Sequence, residues 1–176
     1  MNKKIKIYRM SISRVFPATH PRKGQDTDFK EKILSGLDCP DCICELSKTC
    51  ENCHRAGIFK IHTIRANYDY WKKRIDEVNA GNAILVLYEW KGKPYSKDGT
   101  RELFRFDKDS GIDVQLLTFN PDGHQYLSSV GVGDWLVKKE TLAINDGLSE
   151  QDFRDWFKGY DLSEPMAIIH FTKFRY

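Results

Sequence analysis

Apolar and polar residues alternate over 5–13 (IKIYRMSIS), the period of a half-buried strand, and a Phe-Pro turn ends the run. The loop 16–25 carries Pro17, Pro21 and Gly24 and cannot be regular. Over 28–36, Phe29 and Ile33 share a helical face, Asp28 or Thr27 stands at the N-cap, and Gly36 sits where a helix stops. Residues 59–65 read as a strand. The stretch 67–81 is the clearest helix: Asn67 caps it, Tyr68, Trp71, Ile75 and Val78 recur at helical spacing, and Gly81 ends it. The second half turns to β. Runs at 83–90, 101–107, 112–119 and 133–138 predict strands between Gly, Pro and Asp turns. Ser149 opens a helix over 150–158 with Phe153, Trp156 and Phe157 on one face, and 166–174 closes the chain as a strand. Several short strands, few helices and no alternating βαβ rhythm predict an α+β fold, a small mixed β-barrel decorated by short helices. Residues 1–176 read as one domain, with a cysteine-rich insertion at about 38–57.

Composition adds limits more than chemistry. The chain has 176 residues, 40% hydrophobic, 12% aromatic and 30% charged, as a globular protein with a real core would. A net charge of +3 is mildly basic, below the level that declares nucleic-acid binding by itself. The basic start MNKKIKIYRMSIS lacks the apolar run of a signal peptide, and no stretch reaches the apolar length of a membrane span. The expectation is a cytoplasmic chain with no membrane partner. In that reducing setting its five cysteines are thiols or metal ligands before they are disulfides.

Those cysteines cluster in 39-CPDCICELSKTCENCH-54. Two C-x-x-C turns, Cys39/Cys42 and Cys50/Cys53, can each aim two sulfurs at one point, which makes a tetrahedral thiolate site of the kind zinc prefers. Cys44 and His54 are alternates, and the spacer is shorter than in most zinc ribbons. Four thiolates leave no open position for water, so such a zinc is structural. Free thiols, disulfides and an iron–sulfur cluster are the other readings of the same residues. A zinc loop of this kind also offers a docking surface to a protein partner.

The stretch 60-KIHTIR-65 sets two cations, an imidazole and a hydroxyl between apolar neighbours. In a plain strand Thr63 and Arg65 share one face while Lys60 and His62 share the other. Lys60 and Thr63 converge only if Lys60 sits on the turn leading in, or at a bulge. Spacing alone serves an exposed strand with scattered charges as well as a site for an anionic, polar ligand.

The motif Lys60-x-x-Thr63-x-Arg65 follows a short helix ending Ile33-Leu34-Ser35-Gly36, and far downstream comes 142-LAINDGLSEQDFRDWF-157, then the strand 166-MAIIHFTKF-174. Together and in this order they resemble the ASCH family of PUA-like domains. Residues 16–24, 62–68 and 91–97 further resemble a bacterial subgroup of ASCH-like proteins. The resemblance implies a PUA-like β-barrel whose cleft binds RNA or a modified nucleoside. One branch of the family is similar to acetylcytidine amidohydrolases, in which the motif lysine and threonine act with a later carboxylate to hydrolyse an acetyl amide on cytosine. By position those residues are Lys60, Thr63 and Asp146. That branch carries the longer glutamate where this chain has Asp146, and it joins the helix to the motif almost directly where this chain has the cysteine insertion. The chemistry is coherent: a partly desolvated lysine takes the hydroxyl proton, and the carboxylate holds the lysine or shuttles the proton. Asp146 also fits a plain Asp-Gly turn.

The leading expectation is an RNA- or nucleotide-binding protein using a basic cleft. An amidohydrolase acting on an acylated nucleoside is the alternative, and an interaction module built on the zinc loop is the third. Further candidate ligand contacts are Arg65 for a phosphate or oxyanion, His62, His20 in its Pro-flanked loop, Tyr70 for base stacking, and Lys93. Lys93 belongs to an aromatic-interleaved basic run that includes Trp90, Lys91, Tyr95 and Lys97. For His20 a surface histidine is the plainer reading, and a solvated hairpin serves for that run equally well.

Overall fold

The computed structural model describes residues 5–38, 59–119 and 129–176. Among the described residues, two sheets and four helices make an α+β fold. In the first sheet β1 (Lys6–Ser11) pairs parallel with β3 (Ala83–Trp90), which pairs antiparallel with β4 (Thr100–Phe106). The second runs β2 (His62–Ala66), β8 (Met166–His170), β5 (Asp113–Thr118), β6 (Ser129–Val132), β7 (Trp135–Lys138), antiparallel throughout. Its inner strand β8, between β2 and β5, is buried at every residue, and each of its large aliphatics contributes about 1.5–3 kcal/mol by leaving water.

Helix α2 (Tyr68–Asn79) packs against β3, β5 and β8, so it ties the two sheets together. The apolar face read from its spacing is the buried one, with Ile75 and Val78 in the core and Tyr68 and Trp71 packed at its edge. Asn67 caps it through a side-chain bond from the Tyr70 amide. α4 (Glu150–Phe157) is capped by Ser149, which accepts from the Asp152 amide, and buries Phe153 and Phe157. One core draws on both sheets and on all four helices.

Four features depart from expectation. The barrel does not close among the described residues: β1 and β2 are not paired, and the Ser11 carbonyl is taken by the Arg65 guanidinium at 2.6 Å. The helix expected to stop at Gly36 runs on as α1 (Phe29–Asp38). Gly36 serves close packing instead, since a Cβ there would lie 2.9 Å from the Lys60 carbonyl oxygen. The single strand expected over 133–138 is the second arm of a β6–β7 hairpin that turns at Gly133 with φ +55°. Residues 139–145, in which no helix was expected, form α3 (Lys139–Asn145). The proposed zinc ligands Cys39, Cys42, Cys50 and Cys53, with Cys44 and His54, lie outside the described residues.

Candidate functional site

The site begins with a three-residue segment, Phe59 to Ile61, that enters β2. Three elements hold its backbone. The Lys60 amide donates to the Lys32 carbonyl on α1, the Ile61 amide to the Asn145 carbonyl at the end of α3, and the Ile61 carbonyl accepts from the Phe171 amide after β8. Two glycines let these neighbours approach. Gly36 meets the Lys60 backbone, and a Cβ on Gly147 would stand 3.0 Å from the Lys60 Cβ. Gly147 has φ +76°, which a side chain would resist in any case.

Because Lys60 precedes the strand, it escapes strand alternation and lines the same cleft as Thr63. Its side chain is 1% exposed. Nζ donates to Asp146 Oδ1 at 2.5 Å and to the Asp146 carbonyl at 2.6 Å, and lies 4.2 Å from the centre of the Phe29 ring. Asp146 is the C-cap residue of α3, so the helix end itself aims its carboxylate at the lysine. Burial pushes the Lys60 pKa from 10.5 down to about 8; the Asp146 charge opposes the drop, while Arg65 and Lys32 add to it. Burial alone would raise the Asp146 carboxyl, but Lys60 and His62 hold it below the ordinary carboxylate value.

Behind this pair lies a polar chain. Asn145 Nδ2 donates to Tyr176 Oη at 2.9 Å, and Tyr176 Oη lies 2.7 Å from His62 Nε2. The tyrosine proton is thus free for Nε2, which leaves the histidine proton on Nδ1, facing Asp146 Oδ1 at 3.6 Å. That separation is too long for a hydrogen bond, so the ring offers the carboxylate only the positive end of its N–H dipole. Burial lowers the His62 pKa and raises that of the Tyr176 phenol, so both stay neutral near pH 7. His62 therefore does not face the cleft as expected; it backs the carboxylate from beneath.

The front of the cleft is aromatic and cationic. Phe29, Trp156 and Phe157 line it with Lys60, Thr63, Arg65 and Asp146, and Ile12 and Ser13 come from the end of β1. Arg65 clamps the rim through the carbonyls of Ile64 and Ser11 at 3.0 and 2.6 Å. The Thr63 side chain is buried and makes no hydrogen bond among the described residues. The free volume is only about 10 Å³, room for about one water.

Other expected contacts lie elsewhere. His20 is buried, not on the surface and not in the cleft: its Nε2 lies 3.1 Å from the Asp152 carbonyl, Nδ1 accepts from the Arg22 amide, and its ring packs on Phe16 beside Trp156. It props the aromatic wall. Tyr70 is exposed beneath the Arg74 guanidinium at 3.3 Å and does not line the cleft. Lys93 is exposed in the β3–β4 loop, also outside the lining. Sequence reasoning missed Phe29 and Trp156 as walls because their helical spacing marks them as core. It missed Asn145 and Tyr176 because nothing local distinguishes them.

Among the described residues no group of three or more His, Cys, Asp or Glu side chains is placed to hold a metal ion, and no helix is long and apolar enough to cross a membrane. No family model, curated protein or solved structure matches the chain.

Proposed function

We propose that the cleft is the binding site for a nucleotide-like ligand, with RNA as the ligand class. The observation that supports this is the meeting of Lys60, Thr63, Arg65 and Asp146 in one cleft that the packed rings of Phe29 and Trp156 also line. Aromatic walls with donors and an acceptor at their edge suit a planar, polar heterocycle. The resemblance of the motif and of residues 142–157 to ASCH domains of PUA-like fold points the same way; the barrel of that fold would be an open one here. A base is far larger than the free volume, so it enters as the half-buried Arg65 and Trp156 side chains swing aside. The test is titration of short RNAs and single nucleotides into the protein. Affinity is expected to fall as salt rises and to drop at least tenfold in Arg65→Ala and Thr63→Val (about 1.4 kcal/mol). Binding that ignores both substitutions would place the ligand somewhere else.

A second reading, amide hydrolysis on an acylated nucleoside, is favoured by one observation: a buried lysine with a pKa of about 8 beside a threonine. With that value about a tenth of Lys60 is neutral at pH 7. Neutral Lys60 takes the Thr63 proton as Thr63 Oγ attacks the acetyl carbonyl carbon. The C–N bond breaks, Lys60 returns the proton to the leaving nitrogen, and water hydrolyses the Thr63 ester to acetate. Lys60 must first loosen its bonds to Asp146, since no hydrogen bond joins it to Thr63. Acetate release from N4-acetylcytidine, lost in Lys60→Ala and Thr63→Ala, is the expected result; no release from wild type removes this reading and leaves the first intact.

The cysteine spacing further leads us to propose a structural zinc held by Cys39, Cys42, Cys50 and Cys53.

A further inference from the structure

A second cluster lies next to the cleft and takes no part in the chemistry above. β3 ends at Trp90 and continues into the loop 91–99 (KGKPYSKDG) before returning as β4. Tyr88, Trp90 and Tyr95 form a run of rings, 6.0 and 5.0 Å between successive centroids. The Arg9 guanidinium covers Tyr88 at 4.5 Å. Tyr95 is 90% exposed and has φ +63°. A non-glycine residue held left-handed is strained, and here no burial of the ring offsets the strain.

The charge around these rings is uncompensated. Arg14, Lys91, Lys93 and Lys97 are exposed, and none forms an ion pair among the described residues. The loop's own carboxylate, Asp98, is turned to the Ser96 hydroxyl. The carboxylates of the strands on either side are taken: Glu89 by Arg101, Glu102 by Arg105. The cluster is also continuous with the cleft. Ser13 lines the cleft, and its neighbour Arg14 donates from Nη1 to the Lys91 carbonyl at 3.0 Å. Ile12, also in the lining, donates its amide to the Tyr88 carbonyl at 2.8 Å.

We propose that this aromatic and cationic run carries single-stranded nucleic acid onward from the cleft, so that the ligand is an oligonucleotide and not a free nucleoside. This rests on the nucleotide reading of the cleft and extends it. Rings in series, with Tyr95 exposed and Tyr88 and Trp90 half-buried behind it, stack successive bases, and unpaired cations beside them meet the phosphates. A duplex keeps its bases stacked on one another and leaves such rings unused.

The test measures fluorescence anisotropy of labelled strands of about ten nucleotides, as RNA, DNA and duplex, with mononucleotide as competitor. Tyr95→Gly removes the ring and relieves the positive φ, so it keeps the fold. Lys91→Gln/Lys93→Gln/Lys97→Gln removes three of the four exposed charges and leaves Arg14. Wild type is expected to bind single strands more tightly than duplex or mononucleotide, whichever sugar it prefers. Tyr95→Gly is expected to weaken strand binding about 5- to 100-fold. The triple variant is expected to lower the slope of log affinity against log salt by about 2. Neither variant changes mononucleotide binding. Strand affinity that is unchanged in both variants, or equal to that of duplex, overturns this proposal. If Thr63→Val still weakens mononucleotide binding in that case, the cleft reading survives alone. If wild type binds neither strands nor mononucleotide, both fall.

Discussion

Replacing Lys60 by methionine tests the energetics of the whole site. The ammonium is buried, and its fall in pKa from 10.5 to about 8 corresponds to about 3 kcal/mol disfavouring the charged form in place. That figure is what remains after Asp146, with two acceptors at 2.5 and 2.6 Å, has offset part of the desolvation. Lys60→Met alone leaves the Asp146 carboxylate buried with only His62 Nδ1 at 3.6 Å. Breaking a buried pair on one side costs about 3–5 kcal/mol. Asp146→Asn alone removes the counter-charge, though the backbone carbonyl still accepts from the ammonium, and is expected to cost a comparable amount, moderated by loss of the lysine proton. The double variant removes both charges and keeps the volume, so it is expected to lie within about 1 kcal/mol of wild type. Urea unfolding of the four proteins at pH 7 closes the cycle, and the coupling is expected to be at least about 2 kcal/mol. Additive costs within about 0.5 kcal/mol would mean that the pair does not exist as a buried unit. A stable double variant that binds no ligand would show that the pair is kept for function at no gain in stability.

Burial lowers the pKa of His62 and His170 below the ordinary 6.5, and neither ring nitrogen of His170 has a hydrogen-bond partner among the described residues. The unfolded chain therefore binds protons that the native one refuses, and stability falls as pH drops below about 6.5. The urea midpoint should be lower at about pH 5.5 than at pH 7.5, with a shallower dependence in His170→Phe; a midpoint that ignores pH over this window refutes it. Gly147→Ala places a methyl 3.0 Å from the Lys60 Cβ and 3.3 Å from the Phe59 carbonyl at φ +76°, and should cost about 1–2 kcal/mol together with some ligand affinity. An unchanged urea midpoint would show the contact to be slack. Purified protein should contain close to one zinc per chain by elemental analysis, lost in Cys39→Ser/Cys50→Ser; folded protein without zinc ends that proposal.

Legibility followed the strength of local periodicity. α2, α4 and β3 announce themselves because their apolar spacing is long and the two helices have local caps, Asn67 and Ser149 each accepting from an amide three residues ahead. α3 has only seven residues and no side-chain cap, so its helicity comes from packing Leu142 and Ala143 into the core. Gly36 misled as a stop because a glycine demanded by a neighbouring backbone looks the same in sequence as one demanded by a turn. Lys60, Thr63 and Arg65 could be singled out from residue type and order, and Asp146 only through the resemblance to ASCH domains. The roles of His62 and His20 could not, since a histidine in a cleft and one beneath its floor carry the same letter.

The amino-acid order by itself determined the α+β class, most of the elements, the residue types of the cleft and the basic aromatic run beyond it, because these depend on contacts within a few residues. Only the tertiary structure decided that Lys60 leaves the strand to meet Asp146, 86 positions away. It alone set His62 and Tyr176 behind that pair, and joined Arg14 to the loop after β3. The physical reason is burial. An ammonium and a carboxylate are stable without water only when chain segments far apart in sequence close around both at once.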